Sequence, residues 1–262
     1  DFRFQPSLIQ KELVDAGFFG RKSGRGFYDY QEGAQRPPVQ VLMADTVVDG
    51  DAGVCLPECR VAADMGVLEG LVERLRAAGV ESAVDSVLTQ GQMYVGELRV
   101  ALTDGRLASE CSAAAGGQPL VLLDLALDYR QTPRLAISRA AATRDAQVQG
   151  LVNLLAIAGI AISELADVPG LLVMRTVAML ANEAADAVLQ GVGSAEGVDL
   201  AMCAGVNYPR GPLAWAAGLG YVSVTTVLQH LQQAYGEDRY RPSLWLRRQA
   251  LTAQSQLQSE VA

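Results

Sequence analysis

Acid–base catalysis, metal binding and phosphate binding each demand particular side chains, and this sequence offers few of them. Its only histidine, His230, lies between Gln229 and Leu231 near the far end of the chain. That setting favours a solvated or capping role over a catalytic one. The cysteines are Cys55, Cys59, Cys111 and Cys203. Cys55 and Cys59 would sit one turn apart on a helix, but a zinc site takes about four ligands and no partner pair accompanies them. No metal is expected, and the thiols read as buried and reduced, as in a cytoplasmic protein.

A dinucleotide site needs G-x-G-x-x-G between a strand and a helix, so that backbone amides can approach the pyrophosphate at a helix N-terminus. No such string occurs. The nearest, Gly24-Arg25-Gly26, has Asp29 where the third glycine belongs and no helix after it. No cofactor-binding residue is expected in this chain.

The elements that would position any site centre on Asp167–Leu189. There Met174, Val177, Ala178, Ala181, Ala184, Ala185 and Val188 recur at three- and four-residue spacing and share one helix face, which must be buried. Arg175, Asn182, Glu183, Asp186 and Gln190 fall on the opposite arc, read as the wet side, although Asn182 and Glu183 could bond between helices. Pro169 and Gly170 mark the entry. From Gly170 onward everything reads as helix: Ser194 caps a helix ended by Gly205, Tyr208–Leu213 is a rigid turn, and helices follow to about Ala217, over Val222–Tyr235, and from near Pro242.

Upstream, Pro6–Ala16 is an amphipathic helix stopped by Gly17, Gly20–Tyr30 is a glycine-rich turn or tail, and Gln31–Pro38 has linker composition. From Val39 to about Ala166 strand and helix alternate. Val39–Val48 is read as a strand, Gly66–Ala78 as a helix, and Leu98–Leu102 as a strand before a tight turn at Asp104-Gly105. Pro119–Leu127 is an apolar run suited to a strand buried on both faces of a parallel sheet. Leu135–Ser138, a helix capped by Asp145, and Ile160–Ser163 complete a small doubly wound domain.

The 262 residues carry a formal net charge of −8 and are 50% hydrophobic. Such a chain buries sizeable cores, and neither nucleic acid nor membrane is expected as a partner. No apolar run is long enough to span a bilayer and no signal peptide is seen. Arg3-Phe4-Gln5-Pro6-Ser7-Leu8 and Arg239-Tyr240-Arg241-Pro242-Ser243-Leu244 match at a constant offset of 236 residues. Each match precedes a helix, so residues 1–35 are expected to end one helical unit and residues 168–262 to form a second, with the α/β domain at 39–167 between them. On this reading the chain is a piece of something longer.

Three segments carry a family resemblance. D-V-P-G-L-L-V-M-R from Asp167 with N-E-A at Asn182, S-A-E-G-V-D-L-A-M-C-A-G-V-N-Y-P-R-G-P-L from Ser194, and L-V-D-A-G-F-F-G-R-K-S-G-R-G-F-Y-D-Y from Leu13 resemble the C-terminal domain of bacterial 3-hydroxyacyl-CoA dehydrogenases. The two-unit layout is similar to the long, duplicated members acting on 3-hydroxybutyryl-CoA or 3-hydroxyadipyl-CoA. The resemblance implies an α/β plus all-α fold: a degenerate Rossmann-like domain, then a helical domain of the 6-phosphogluconate dehydrogenase C-terminal-like class.

The resemblance also implies a parent enzyme that oxidises (S)-3-hydroxyacyl-CoA to 3-oxoacyl-CoA with NAD, in fatty-acid or aromatic-acid degradation. In the family a histidine polarised by a glutamate takes the hydroxyl proton and an asparagine on the long helix places the substrate. Here Met174 stands at the asparagine position, and Leu125–Pro133, just after the buried strand, contains no histidine. A silent second copy is therefore expected, with NAD held by a preceding domain, the first unit of the same chain as partner, and a homo-oligomer overall. Lys22 and Arg25 are the cations that could reach coenzyme A phosphates, against a solvated tail as the default. The alternative is a structural module that supplies helical pairing surface.

Overall fold

Residues 6–35, 37–45 and 56–261 are described by the structure, a computed structural model. The chain divides into two units, Asp1–Gln40 and Val41–Ala262. In the first, α1 (Leu8–Asp15) begins at Ser7, whose side chain accepts the Gln10 N–H while the Gln10 side chain returns to the Ser7 N–H. Leu8, Ile9 and Val14 of α1 are exposed. The glycine-rich segment that follows folds on itself through bridges from Arg25 to Gly20 and Asp29.

The second unit opens with β1 (Cys59–Ala62), α2 (Glu69–Ala77), β2 (Ser82–Asp85), β3 (Gln92–Val95) and β4 (Leu98–Leu102). It continues through α3 (Ala108–Ala114), β5 (Leu120–Leu123), β6 (Arg134–Arg139), α4 (Asp145–Ile157) and β7 (Ala161–Glu164). The strands form one sheet in the order β2-β1-β3-β4-β5-β6-β7. It is mixed rather than parallel: β1/β2, β4/β5 and β6/β7 are parallel, while β1/β3, β3/β4 and β5/β6 are antiparallel. The apolar run at β5 is buried at every residue, as its composition requires, yet it pairs antiparallel with β6.

Two cores flank the sheet. Leu71 and Leu75 of α2 and Leu151 and Leu155 of α4 pack on the face bearing Val61, Val100, Val121 and Ile137. On the other face Ala108 and Cys111 of α3 pack on Leu120 and Leu122. The helical part comprises α5 (Val173–Leu189), α6 (Ala195–Val206), α7 (Pro212–Leu219), α8 (Tyr221–Tyr235) and α9 (Leu244–Val261). Met174, Val177, Ala178, Ala181 and Ala185 of α5 form its centre, packed against Leu213 and Ala216, Val224 and Leu228, and Leu246. The small alanines let these helices close on α5. A Rossmann-like mixed sheet followed by a helical bundle is thus the architecture.

Several sequence expectations need correction. In place of a strand over Val39–Val48, Leu42 makes a single bridge to Ile162, and the last of those residues lie outside the described ones. Asp104-Gly105 leads into α3; the hairpin turn is instead at Gly96, between β3 and β4. Helix α4 has Arg144 at its cap position, and Asp145 is its first helical residue, with its carboxylate paired to Arg139. Helix α6 runs past Gly205 and ends at Asn207, whose φ is +57°. Helix α5 starts at Val173, three residues after Gly170. Cys59 lies in a strand, so no helical turn relates it to Cys55, which is outside the described residues.

On the presumed wet arc of α5, Asp186 departs from the reading, and Asn182 takes the alternative of bonding to another element. Asn182 and Asp186 are buried. The entry to α9 crosses that arc: the Asn182 side-chain amide donates to the Arg241 carbonyl at 2.9 Å, and its oxygen accepts the Ser243 N–H at 2.7 Å.

Candidate functional site

In an open α/β sheet a ligand crevice forms beyond the C-terminal ends of strands whose following helices leave to opposite faces. Here α2 follows β1 onto one face and α3 follows β4 onto the other. The backbone amides at such turns attract phosphate because helix N-termini carry unpaired N–H groups and partial positive charge. In this chain an aspartate accepts from one or two of those amides at each turn.

After β1, the turn carries Asp64, whose Oδ1 accepts the Gly66 N–H at 2.8 Å and whose Oδ2 accepts from Gln90 at 2.6 Å. At the start of α3, the amides of Ala108 and Ser109 donate to Asp167, at 2.6 and 2.9 Å. At the start of α7, those of Leu213 and Ala214 donate to Asp199, both at 2.8 Å. Gly211 makes the last arrangement feasible, since a Cβ there would lie 2.2 Å from Asp199 Cγ. The turn after β1 lacks the G-x-G-x-x-G spacing, and its Gly66 amide is held by Asp64, so these residues do not fit the pyrophosphate of NAD.

The most buried case stands at the end of β5. Asp124 follows the strand directly and is 1% exposed. Its Oδ2 accepts the N–H groups of Leu172 and Val173 at 3.0 and 2.8 Å, and its Oδ1 those of Met174 and Leu125 at 2.9 and 2.8 Å. A carboxylate removed from water is tolerated only with such compensation, here four donors and the α5 dipole. The turn that aims these amides is strained: Gly170 has φ +70° and Leu171, a non-glycine residue, φ +51°. Leucine in that region costs on the order of 1–3 kcal/mol, which the Asp124 contacts offset.

Met174 has its side chain in the helical core at 3% exposure, beside Leu125. A thioether there packs well but offers no strong hydrogen bond. Sequence reasoning missed Asp124. Its only signal is a lone acid closing an apolar run, and three of its four partner amides lie 48–50 residues away.

His230 is a pin between sheet and bundle rather than a solvated group. Its Nδ1–H donates to the Asp104 carbonyl at 2.8 Å. Beside it Gly105, with φ +99°, passes so close to α8 that a Cβ would lie 2.7 Å from the Val227 carbonyl oxygen. Burial acts to raise the Asp104 carboxyl pKa, but hydrogen bonds and charge from Arg106 outweigh it and hold the group below the usual carboxylate range. The Cys111 thiol is pushed up to about 11, chiefly by burial, and Cys59 likewise. Thiols so shifted are inert near neutral pH.

Lys22 and Arg25 belong to the Asp1–Gln40 unit, whereas Met174 belongs to Val41–Ala262. Lys22 is exposed, and the Arg25 guanidinium lies over the Phe18 ring, 4.5 Å from its centre. Among the described residues no His, Cys, Asp or Glu group is arranged to hold a metal ion, and no helix is long and apolar enough to cross a membrane.

Comparison with known proteins adds family information. Residues 100–169 match the family described as the reduced Rossmann-fold domain of 3-hydroxybutyryl-CoA dehydrogenase, and residues 170–260 the C-terminal domain of 3-hydroxyacyl-CoA dehydrogenase. The chain is 38% identical over 249 residues to a 3-hydroxyadipyl-CoA dehydrogenase of Escherichia coli K12, covering 95% of this chain and 44% of the relative. It is 38% identical over 82 residues to a probable 3-hydroxybutyryl-CoA dehydrogenase of Deinococcus radiodurans, covering 31% of this chain and 30% of that one. A crystal structure of 3-hydroxybutyryl-CoA dehydrogenase from Escherichia coli K12 superposes with a TM-score of 0.77 at 34% identity, over 96% of this chain and 45% of that one. The chain thus spans less than half the length of these relatives.

Proposed function

Since this chain belongs to the 3-hydroxyacyl-CoA dehydrogenase family, carrying its reduced Rossmann-fold and C-terminal domains, we propose that it is the catalytically silent part of a larger NAD-dependent enzyme. The parent oxidises (S)-3-hydroxyacyl-CoA to the 3-oxo thioester in fatty-acid or aromatic-acid degradation. NAD and substrate are held by an upstream unit of the same polypeptide, in the cytoplasm. The observation that carries the silent reading is Asp124: its carboxylate is spent on the α5 N-terminus, and Met174 beside it is a core residue.

The two-unit reading, with residues 1–35 ending a first helical unit, is supported by the helix starts. Ser7 caps α1 directly before Leu8, and Ser243 immediately precedes α9 at Leu244, at matching positions of the repeat. The Arg3–Gln5 part of that repeat lies outside the described residues. Lys22 and Arg25 stay weak candidates for coenzyme A contact, with Arg25 engaged on Phe18. A second reading, a module that supplies pairing surface, is favoured by α6, which has no fully buried residue and exposes Leu200 and Val206. It suits a homo-oligomer or a pairing of tandem helical units.

The test is turnover. Incubated with NAD and (S)-3-hydroxybutyryl-CoA, the 262-residue chain should form no NADH, whereas a parent protein containing the upstream unit should. Turnover by this chain alone would defeat the proposal.

A further inference from the structure

A cavity of about 700 Å³ lies beside α3, lined by Arg99 and Ala101 of β4, Leu122 of β5, Gly66 after β1, and Gly218 at the end of α7. Small residues leave the room, and Arg99 lines it without an ion-pair partner. The Nε of Arg99 is buried and has no hydrogen-bond partner. Among the described residues no carboxylate is within ion-pair distance of this side chain. Its neighbours are otherwise committed. Asp104 and Arg106, which also line the cavity, neutralise each other through contacts of 3.0 and 2.5 Å. Arg60 and Tyr94 share the cross-strand row of Arg99, and there Arg60 is engaged by Asp85 at 3.0 Å and lies over the Tyr94 ring.

The Nε is closed to solvent, so an oxyanion in the cavity would meet the terminal nitrogens of the planar guanidinium, a cation that has no carboxylate to pair with. We propose that this cavity binds a small organic molecule with a single oxyanion group, a phosphate ester or a carboxylate, anchored by Arg99. One uncommitted cation among the described lining residues selects one anionic group. The apolar wall at Ala101 and Leu122 receives the rest of the molecule. A dinucleotide is a different case, because the Asp64 carboxylate already sits on the Gly66 amide. The inference does not depend on the silent-copy reading, and binding is measured without turnover.

The experiment is calorimetric titration of the 262-residue chain with inorganic phosphate, glycerol 3-phosphate and hexanoate, with glycerol and hexanol as neutral controls. At least one anion should bind with one-to-one stoichiometry, the neutral compounds should not, and comparison of the anions separates a phosphate site from a carboxylate site. Arg99→Gln should weaken binding by about tenfold or more, the value of a charge-assisted fork. Arg134→Gln, an exposed arginine at the start of β6, should leave binding unchanged. If Arg99→Gln does not fold, Arg99→Lys gives the same reading, because it keeps the charge but loses the fork. Absence of binding by all three anions, or equal affinity in every folded Arg99 variant, overturns the proposal.

Discussion

The main-chain N–H of Met174 donates to the Asp124 carboxylate, 2.9 Å from Oδ1, so the strand β5 and the helix α5 are joined by a buried charge-assisted hydrogen bond. The family resemblance places a histidine just beyond this strand and an asparagine at the Met174 position. The chain instead uses the acid to seal the helix end and the methionine to fill the core. Chemistry at this junction would need polar atoms aimed at a crevice, and both are turned inward.

Asp124→Asn keeps the shape and removes the charge and one accepting oxygen. Its amide group would face a donor it cannot accept from. Unfolding in urea should show a loss of about 2–4 kcal/mol, the scale for a buried charge-assisted network. A loss below about 1 kcal/mol would mean that the contact is not a stabilising joint.

Met174→Asn introduces the residue type that the family resemblance implies, at a site that is apolar here. It should cost about 2–4 kcal/mol from lost packing and an unpaired amide. Dehydrogenase turnover should stay absent. Activity gained by this single change would show that the site is still built for substrate.

Asn182 spans two backbone groups at the entry to α9. In Asn182→Leu those groups lose their partners, and α9 should open first. Hydrogen exchange should speed along Leu244–Ala250 while β5 amides stay protected. Uniform acceleration across the sheet would contradict a local tether.

How far the sequence carries is clear from these same residues. The α5 core face and the β5 run are legible because apolar periodicity reports burial directly. The helical wheel leaves Asn182 open between water and another element, because a crossing backbone can satisfy an amide equally well. Asp124 is silent in the sequence because its partners are main-chain amides, which every residue carries. Short β2 and the small-residue helix α3 lack a pattern, since Ser82–Asp85 is half-exposed and Ala108–Ala114 has few large apolar side chains.

Two pH limits follow. Asp104 has a lowered pKa in the fold, so its contribution is complete above the ordinary carboxylate range and is lost as pH falls through the folded value. Cys59 and Cys111 are raised to about 11, so their contribution holds below the ordinary thiol range and fades as pH rises toward that value. Melting temperature should therefore fall at both ends. Asp104→Asn should flatten the acid side and also shift the alkaline side a little, since its charge helps to raise Cys111, whereas Cys59→Ala should flatten only the alkaline side. An unaltered profile in either variant would remove that group from the account.

The central claim, that this α/β domain has lost its dinucleotide site, with Asp64 on the Gly66 amide and Asp167 on the amides at the start of α3, is tested most directly by titrating NADH into the 262-residue chain and following nicotinamide fluorescence. The account predicts no saturable change. One-to-one binding abolished by competing NAD would contradict it.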